Sequence, residues 1–144
     1  MTSGALSPDL VRIHHGTVTR DEALREATDL LVEVGAVTTA YYAAMQERER
    51  SVSTYMGAGL AIPHGTNAAL ASVQATALTF VRYDGGVDWD GNRVTFVVGI
   101  AARDGEHLHL LGRIAELFAD ADEVAKLAAA DTVEELYALV AADA

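Results

Sequence analysis

The sequence of 144 residues contains no cysteine. This absence excludes disulfides, thiolate metal sites and thiol nucleophiles together, so any nucleophile must be another kind of side chain. Long apolar runs are also absent, since none approaches the ~20 residues that a membrane-spanning helix needs. The first ten residues lack the basic flank and the apolar stretch of a signal peptide. We therefore expect a cytoplasmic protein that does not insert into a membrane.

Basic residues are scarce. Ten lysines and arginines stand against 21 aspartates and glutamates, which gives a net charge of -11 at pH 7. Such a surface repels the phosphate backbone of nucleic acids, so we expect no nucleic-acid partner. The same acidity would either keep the protein soluble or attract a basic protein partner, and charge alone leaves both interpretations open.

The sequence also lacks several motifs that are typical of metal sites, hydrolases and nucleotide-binding sites. There is no H-E-x-x-H zinc motif and no G-x-S-x-G of a serine hydrolase. The glycine pair in GAG at 57–59 precedes a predicted strand, whereas a dinucleotide or P-loop site needs its glycines after one. We therefore expect neither a bound metal nor a cofactor.

Hydrophobic residues make up 51% of the chain, which is enough to build one packed core. The patterns alternate between strands and helices, and they predict a single α/β domain over residues 1–144 with a mixed, mostly parallel sheet flanked by helices. Strands are predicted at 10–14, 60–62, 73–82, 87–89 and 94–102, with turns at 84–86 and at 90–91. Helices are predicted from Thr19, over 39–50 with Tyr42 and Met45 facing inward, and three times after residue 105.

The stretch GLAIPHGTNAA at 59–69 places a histidine between a proline and a glycine. Pro63 lacks an N–H and pushes Ile62 toward an extended conformation, so the short apolar strand ends there. Gly65 tolerates backbone angles closed to other residues, and a helix is predicted to begin near Ala68. His64 is therefore expected at the carboxyl end of a strand, where open α/β sheets keep their binding sites.

The four other histidines are weaker candidates. His14 and His15 belong to the first strand and favour the interpretation of ordinary surface residues, and His109 is expected to be solvated. His107 heads the apolar stripe of the helix predicted after residue 105, where helix N–H groups favour an anion. A buried core histidine would show the same spacing, so both interpretations of His107 remain open.

Three stretches together carry a family resemblance: ERERSVSTYMGAG at 47–59, GLAIPHGT at 59–66 and GIAARDGEHLHLL at 99–111. From about residue 10 to the end, the chain resembles the enzyme IIA domain of the mannitol/fructose class in the bacterial phosphoenolpyruvate-dependent sugar phosphotransferase system. The resemblance implies that His64 is the phosphorylated nucleophile, that His107 stabilises the phosphoryl group, and that Arg48 positions it. Arg50, two residues further on, is the alternative assignment for the arginine.

The resemblance also implies the partners of such a phosphotransferase component. Phosphate would come from the phosphocarrier protein HPr and pass to a cysteine of enzyme IIB, which, with the membrane component IIC, would be a separate chain. Mannitol is the expected sugar, because the PHGT and GIAARDGEHLHLL stretches look closest to that branch. Two rival hypotheses stay open: a regulatory protein of the nitrogen branch that uses the same histidine, and a binding domain whose histidines are inert.

Overall fold

The structure is a computed structural model that describes residues 5–103 and 106–142. It confirms a mixed sheet flanked by helices. The strands are β1 (Val11–His14), β2 (Tyr55–Gly57), β3 (Leu60–Ala61), β4 (Ala77–Leu78), β5 (Phe80–Trp89), β6 (Asn92–Val97) and β7 (Ile100–Ala101). The helices are α1 (Arg20–Glu33), α2 (Tyr41–Ser51), α3 (Glu106–Phe118), α4 (Ala121–Ala129) and α5 (Val133–Ala142). Short 3-10 helices occupy Pro8–Leu10 and Asn67–Ser72.

The main sheet has the strand order β1-β5-β6-β3-β2, and β4 pairs with β7 in a separate antiparallel ladder. The pairs β1–β5 and β3–β6 are parallel, whereas β5–β6 and β2–β3 are antiparallel. It follows that β1 and β3 run in opposite directions. The carboxyl end of β1, at His14, and that of β3, before His64, therefore lie at opposite edges of the sheet, where edge means a row of strand ends and not an outermost strand.

Helix α1 begins as the sequence predicts. The hydroxyl of Thr19 accepts a hydrogen bond from the Glu22 N–H at 3.1 Å, and the Glu22 carboxylate accepts one from the Thr19 N–H at 2.9 Å. This reciprocal pair is a capping box, and it satisfies two N–H groups that the first turn of the helix leaves without a helical partner. The helix ends at Glu33, just before Gly35 adopts a φ of +75°.

The turn predicted at 84–86 is wrong. Strand β5 continues through this stretch, with a shift in its register against β6 between Arg82 and Val87. Gly85 donates its N–H to the carbonyl of Gly16 at 3.0 Å, and a Cβ at residue 85 would lie 2.6 Å from the Gly16 carbonyl carbon. The glycines at 85 and 86 therefore allow the backbone near Gly16 to approach closely, and β5 forms a bulge there in place of the predicted turn.

The turn predicted at 90–91 is confirmed. Asp90 and Gly91 both have positive φ, 55° and 92°, as a two-residue hairpin between β5 and β6 requires. The apolar run beyond it forms β6 and β7, and Val94, Val97 and Ile100 are fully buried, as expected for strands covered on both faces. Within the described residues, no helix is both long enough and apolar enough to cross a membrane.

Candidate functional site

His64 lies three residues beyond Ala61, the last residue of β3, and thus past the carboxyl end of that strand, as predicted. The chain leaves the main sheet at Pro63, whose carbonyl accepts a hydrogen bond from the Ile100 N–H at 3.0 Å. His64 itself forms a parallel bridge with Ile100 of β7. These contacts hold the backbone of His64 against a buried strand and leave its side chain half-buried.

The orientation of the His64 ring is fixed by a backbone group. Its Nδ1 lies 2.9 Å from the carbonyl oxygen of Ile62. A carbonyl can only accept a hydrogen bond, so Nδ1 carries the proton and the neutral ring keeps its lone pair on Nε2.

The environment favours the neutral form of this imidazole. Burial lowers the pKa of His64 and outweighs the hydrogen bond to Ile62, which favours the charged form. The positive charge of Arg48 lowers the pKa further, and the negative charge of Glu49 opposes that effect. His64 is therefore deprotonated near pH 7, the state in which an imidazole acts as a nucleophile.

The segment after His64 is fixed by Tyr41 at the start of α2. The Tyr41 hydroxyl donates to the carbonyl of Ile100 at 2.9 Å and accepts from the Gly65 N–H at 2.8 Å. Burial raises the pKa of Tyr41, so the hydroxyl keeps the proton that it donates. A Cβ at residue 65 would lie 2.6 Å from the Tyr41 ring, so glycine is required here. The sequence predicted Tyr42 as the inward tyrosine of α2, but Tyr41 is the buried one.

Arg48 stands in the last turn of α2, near enough to His64 to lower its pKa. One of its guanidinium nitrogens donates to the carbonyl of Val52 at 2.6 Å, and the residue is half-buried. Arg50 is exposed and lies about 200° around the helix from Arg48. Of the two candidate arginines, the structure therefore brings Arg48 toward His64. A neutral imidazole beside a fixed guanidinium suits the binding of a phosphoryl group.

Sequence reasoning missed Glu49, because the run of alternating glutamates and arginines is typical of a solvated helix end. Glu49 is only 4% exposed. Its carboxylate accepts hydrogen bonds from the N–H and the hydroxyl of Thr54, at 2.8 and 2.7 Å, and from the indole N–H of Trp89 at 2.8 Å. The signal in the sequence is its position four residues after Met45 and eight after Tyr41, on the buried face of α2.

His107 is the second residue of α3, so its backbone occupies the first turn of that helix as predicted. Its side chain lies outside the part of the chain that the structure describes, and its two candidate roles therefore remain predictions. Leu108 and His109 are exposed, and His109 thus matches its expected solvation. The buried stripe of α3 is formed by Leu110, Ile114, Leu117 and Phe118.

His14 and His15 lie at the other edge of the sheet and contact carboxylates. Nε2 of His14 is 2.7 Å from a carboxylate oxygen of Glu26, and Nδ1 of His15 is 2.9 Å from a carboxylate oxygen of Asp84. The His14 ring stacks on Tyr83 with 5.4 Å between ring centres. Throughout residues 5–103 and 106–142, no group of three or more histidines, aspartates and glutamates is arranged to hold a metal ion.

Comparison with known proteins finds a matching family model and relatives with similar sequences. Residues 5–142 match the family model described as "Phosphoenolpyruvate-dependent sugar phosphotransferase system, EIIA 2". The chain is 46% identical over 134 residues to a mannitol-specific phosphotransferase enzyme IIA component of Staphylococcus aureus, covering 93% of both chains.

Two solved structures are similar to the whole fold. One is an NMR structure of a complex of mannitol enzyme IIA and phosphorylated mannitol enzyme IIB from Escherichia coli. It matches with a TM-score of 0.88 and 31% identity over 95% of this chain and 97% of that one. The other is the nitrogen regulatory protein IIA-Ntr of Neisseria meningitidis, with a TM-score of 0.81 and 25% identity over 95% of this chain and 97% of that one.

Proposed function

The chain belongs to the EIIA 2 family of the phosphoenolpyruvate-dependent sugar phosphotransferase system, and we propose that it carries a phosphoryl group on His64 from HPr to enzyme IIB. The main support for the proposal is the fixed tautomer of the His64 imidazole and its lowered pKa. Its Nδ1 is held by the Ile62 carbonyl at 2.9 Å, and its pKa is lowered by burial and by Arg48. Both features favour nucleophilic attack through Nε2 at neutral pH.

In the first half-reaction, the lone pair of Nε2 forms a bond to the phosphorus atom carried by the phosphohistidine of HPr. The phosphorus–nitrogen bond of the donor breaks, and its electron pair returns to the donor imidazole. The proton on Nδ1 of His64 stays at the Ile62 carbonyl throughout. Arg48 compensates the negative charge of the phosphoryl oxygens, because the transition state of phosphoryl transfer demands alignment and charge stabilisation more than bond making.

In the second half-reaction, a cysteine thiolate of enzyme IIB attacks the same phosphorus atom. The bond to Nε2 breaks and its electron pair returns to the ring, which restores neutral His64. We assign to His107 a supporting role in this step: a donor in the first turn of α3 would hold the phosphoryl oxygens while the group leaves. The position of its backbone at a helix N-terminus supports this assignment.

Two features of the protein surface suit the binding of HPr and enzyme IIB. Val52, Met56 and Leu108 are exposed apolar side chains, 65%, 53% and 75% exposed, on segments that adjoin Arg48, β3 and His107. Exposed apolar groups at such a position suit transient docking to another protein. The net charge of -11 would steer a donor with a basic face toward this chain. The mannitol-specific relative supports mannitol as the transported sugar.

The test is a reconstitution with purified proteins. The chain is incubated with phosphoenolpyruvate, the general phosphotransferase proteins and a mannitol enzyme IIB, and every component is followed by intact mass spectrometry. We expect one phosphoryl group on this chain and its subsequent appearance on enzyme IIB. A chain that gains no phosphoryl group would contradict the proposal and return the histidines to an inert role.

A second candidate function is supported by the similarity to the nitrogen regulatory protein of Neisseria meningitidis. In that case the same phosphorylation of His64 would change binding to target proteins. The reconstitution separates the two candidates, because a regulatory protein would accept the phosphoryl group and fail to pass it to enzyme IIB.

A further inference from the structure

The C-terminal end of α2 is joined to the candidate site by a buried carboxylate. Resting on the proposed function, we propose that Glu49 is a positioning residue for phosphoryl transfer: its carboxylate fixes residues 52–54, and these orient Arg48 and His64. We call residues 52–54 the anchored segment.

Both oxygens of the Glu49 carboxylate accept hydrogen bonds. Two donors come from Thr54 and one from Trp89, all within 2.8 Å. Burying a charged carboxylate is costly, and an apolar side chain of similar volume often stabilises a protein as well or better. Core packing alone therefore does not explain a glutamate here, whereas the need to hold a particular backbone segment does.

The first connection runs from the anchored segment to the arginine. The Val52 carbonyl accepts the 2.6 Å hydrogen bond from Arg48, and Val52 lies two residues before Thr54. The Val52 side chain is 65% exposed and gives this part of the backbone little packing. Fixing Thr54 therefore limits the movement of the carbonyl that holds the Arg48 guanidinium.

The second connection runs from the anchored segment to the nucleophile. The Thr54 carbonyl accepts a hydrogen bond from the Ile62 N–H at 3.1 Å. The carbonyl of Ile62 in turn accepts the 2.9 Å hydrogen bond from Nδ1 of His64. Three consecutive contacts thus link the Glu49 carboxylate to the imidazole, through Thr54 and then Ile62.

Glu49 also acts on His64 through its charge, so the experiment must separate charge from anchoring. Thr54→Val removes one donor to the carboxylate and keeps the charge, whereas Thr54→Ser keeps both the hydroxyl and the charge. Glu49→Gln removes the charge and weakens the anchor together. Glu47→Gln is the matched control, because Glu47 is an exposed glutamate of the same helix.

The first measurement is the rate of phosphoryl transfer from phosphorylated HPr at saturating donor, together with the dissociation constant of the donor. We expect Thr54→Val and Glu49→Gln each to slow transfer by about tenfold without weakening binding, because small misplacements of reacting groups slow transfer strongly. Thr54→Ser and Glu47→Gln should transfer as the unaltered chain does. A Thr54→Val variant that transfers at the unaltered rate would overturn the inference, even if Glu49→Gln is slow, since charge would then be the cause.

The second measurement needs no partner. Nitrogen-15 NMR of the His64 ring reports which nitrogen carries the proton. We expect the unaltered chain to hold it on Nδ1, and Thr54→Val to show a mixture of the two neutral tautomers. An unchanged tautomer in Thr54→Val would overturn the inference. An unaltered chain that accepts no phosphoryl group would instead contradict the proposed function and leave the NMR result to decide the anchoring by itself.

Discussion

The two edges of the sheet each carry a histidine at the end of a strand, yet their surroundings differ in charge. His64 follows β3, bonds through Nδ1 to a neutral backbone carbonyl, and has Arg48 nearby. His14 ends β1, and its Nε2 lies 2.7 Å from the Glu26 carboxylate. At one edge the imidazole contacts a neutral carbonyl, with the charges of Arg48 and Glu49 both acting on its pKa, and at the other edge it contacts a carboxylate directly.

The comparison indicates which surroundings make a histidine at a strand end suitable for phosphoryl transfer. A carbonyl partner fixes the tautomer without adding a negative charge, so a phosphoryl donor is not repelled. A carboxylate beside the nucleophilic nitrogen would both block it and repel the phosphoryl oxygens. The electrostatic surroundings, more than the presence of an imidazole, distinguish the candidate site from the opposite edge.

The strongest test of the contrast replaces each histidine in turn. His64→Ala should abolish phosphorylation and keep the fold, because a half-buried residue beyond the strand end contributes little to the core. His14→Ala should be phosphorylated to the same extent as the unaltered chain. Intact mass spectrometry after incubation with the general phosphotransferase proteins gives the result. Phosphorylation that survives in His64→Ala, or disappears in His14→Ala, would reverse the roles of the two edges.

The next test concerns the cation. Arg48→Gln should slow phosphoryl transfer about a hundredfold, because a fixed charge that stabilises the transferring group is lost. Arg50→Gln removes an equal charge from the exposed side of the same helix and should have a much smaller effect. Rapid-quench kinetics of the reaction with phosphorylated HPr measure both. Equal effects would mean that general charge around α2, and not the placement of Arg48, assists the transfer.

At the opposite edge, the expected loss is one of stability. Arg82 is buried and donates to the carbonyls of Leu127 and Ala130 at the end of α4, both at 2.8 Å. Arg82→Met should lower the free energy of unfolding by about 2 kcal/mol, because two buried carbonyls lose their donor. The transfer rate per folded molecule should not change.

Urea denaturation measures the stability of Arg82→Met, with Arg25→Met as its control. Arg25 is exposed, forms an i,i+4 ion pair with Asp29 and lies over the Tyr42 ring, so its loss should change stability by no more than about 1 kcal/mol. A slower transfer in folded Arg82→Met would show that the two edges are coupled and would contradict their independence.

The smallest expected effect is a displacement of the pH profile. Burial, followed by Arg48, lowers the pKa of His64, so the ring stays neutral below the ordinary value of about 6.5. The rate of acceptance should therefore hold steady as pH falls through 6.5 and decline only below it. An NMR titration of the His64 ring provides the folded-state midpoint. A midpoint at or above 6.5 would contradict the dominance of burial.

Local signals in the sequence predicted much of the fold and the placement of His64 beyond the end of β3. The capping box at Thr19 and the hairpin at Asp90 are determined by neighbouring residues, and Pro63 ends its strand by its own covalent geometry. The bulge at 84–86 was not predictable in this way, because it depends on the approach of Gly16 from a distant part of the chain.

In the candidate site, too, some features follow from a local motif and others depend on residues that are distant in the sequence. The motif around His64 predicted a candidate nucleophile, but it did not reveal the Ile62 carbonyl as the partner of Nδ1 or the buried state of Glu49. The Glu49 carboxylate is buried because Trp89, 40 residues further along the chain, supplies one of its donors. Contacts between residues so far apart in the sequence produce no short motif from which they could be predicted.

In the proposed function, Nε2 of His64 accepts the phosphoryl group while Nδ1 stays bonded to the Ile62 carbonyl. The most direct measurement is to phosphorylate the chain uniformly labelled with nitrogen-15, locate the group by tandem mass spectrometry, and assign the phosphorylated ring nitrogen by NMR. We expect a single phosphoryl group on Nε2 of His64. A group on Nδ1 of His64, or on any other histidine, would contradict it.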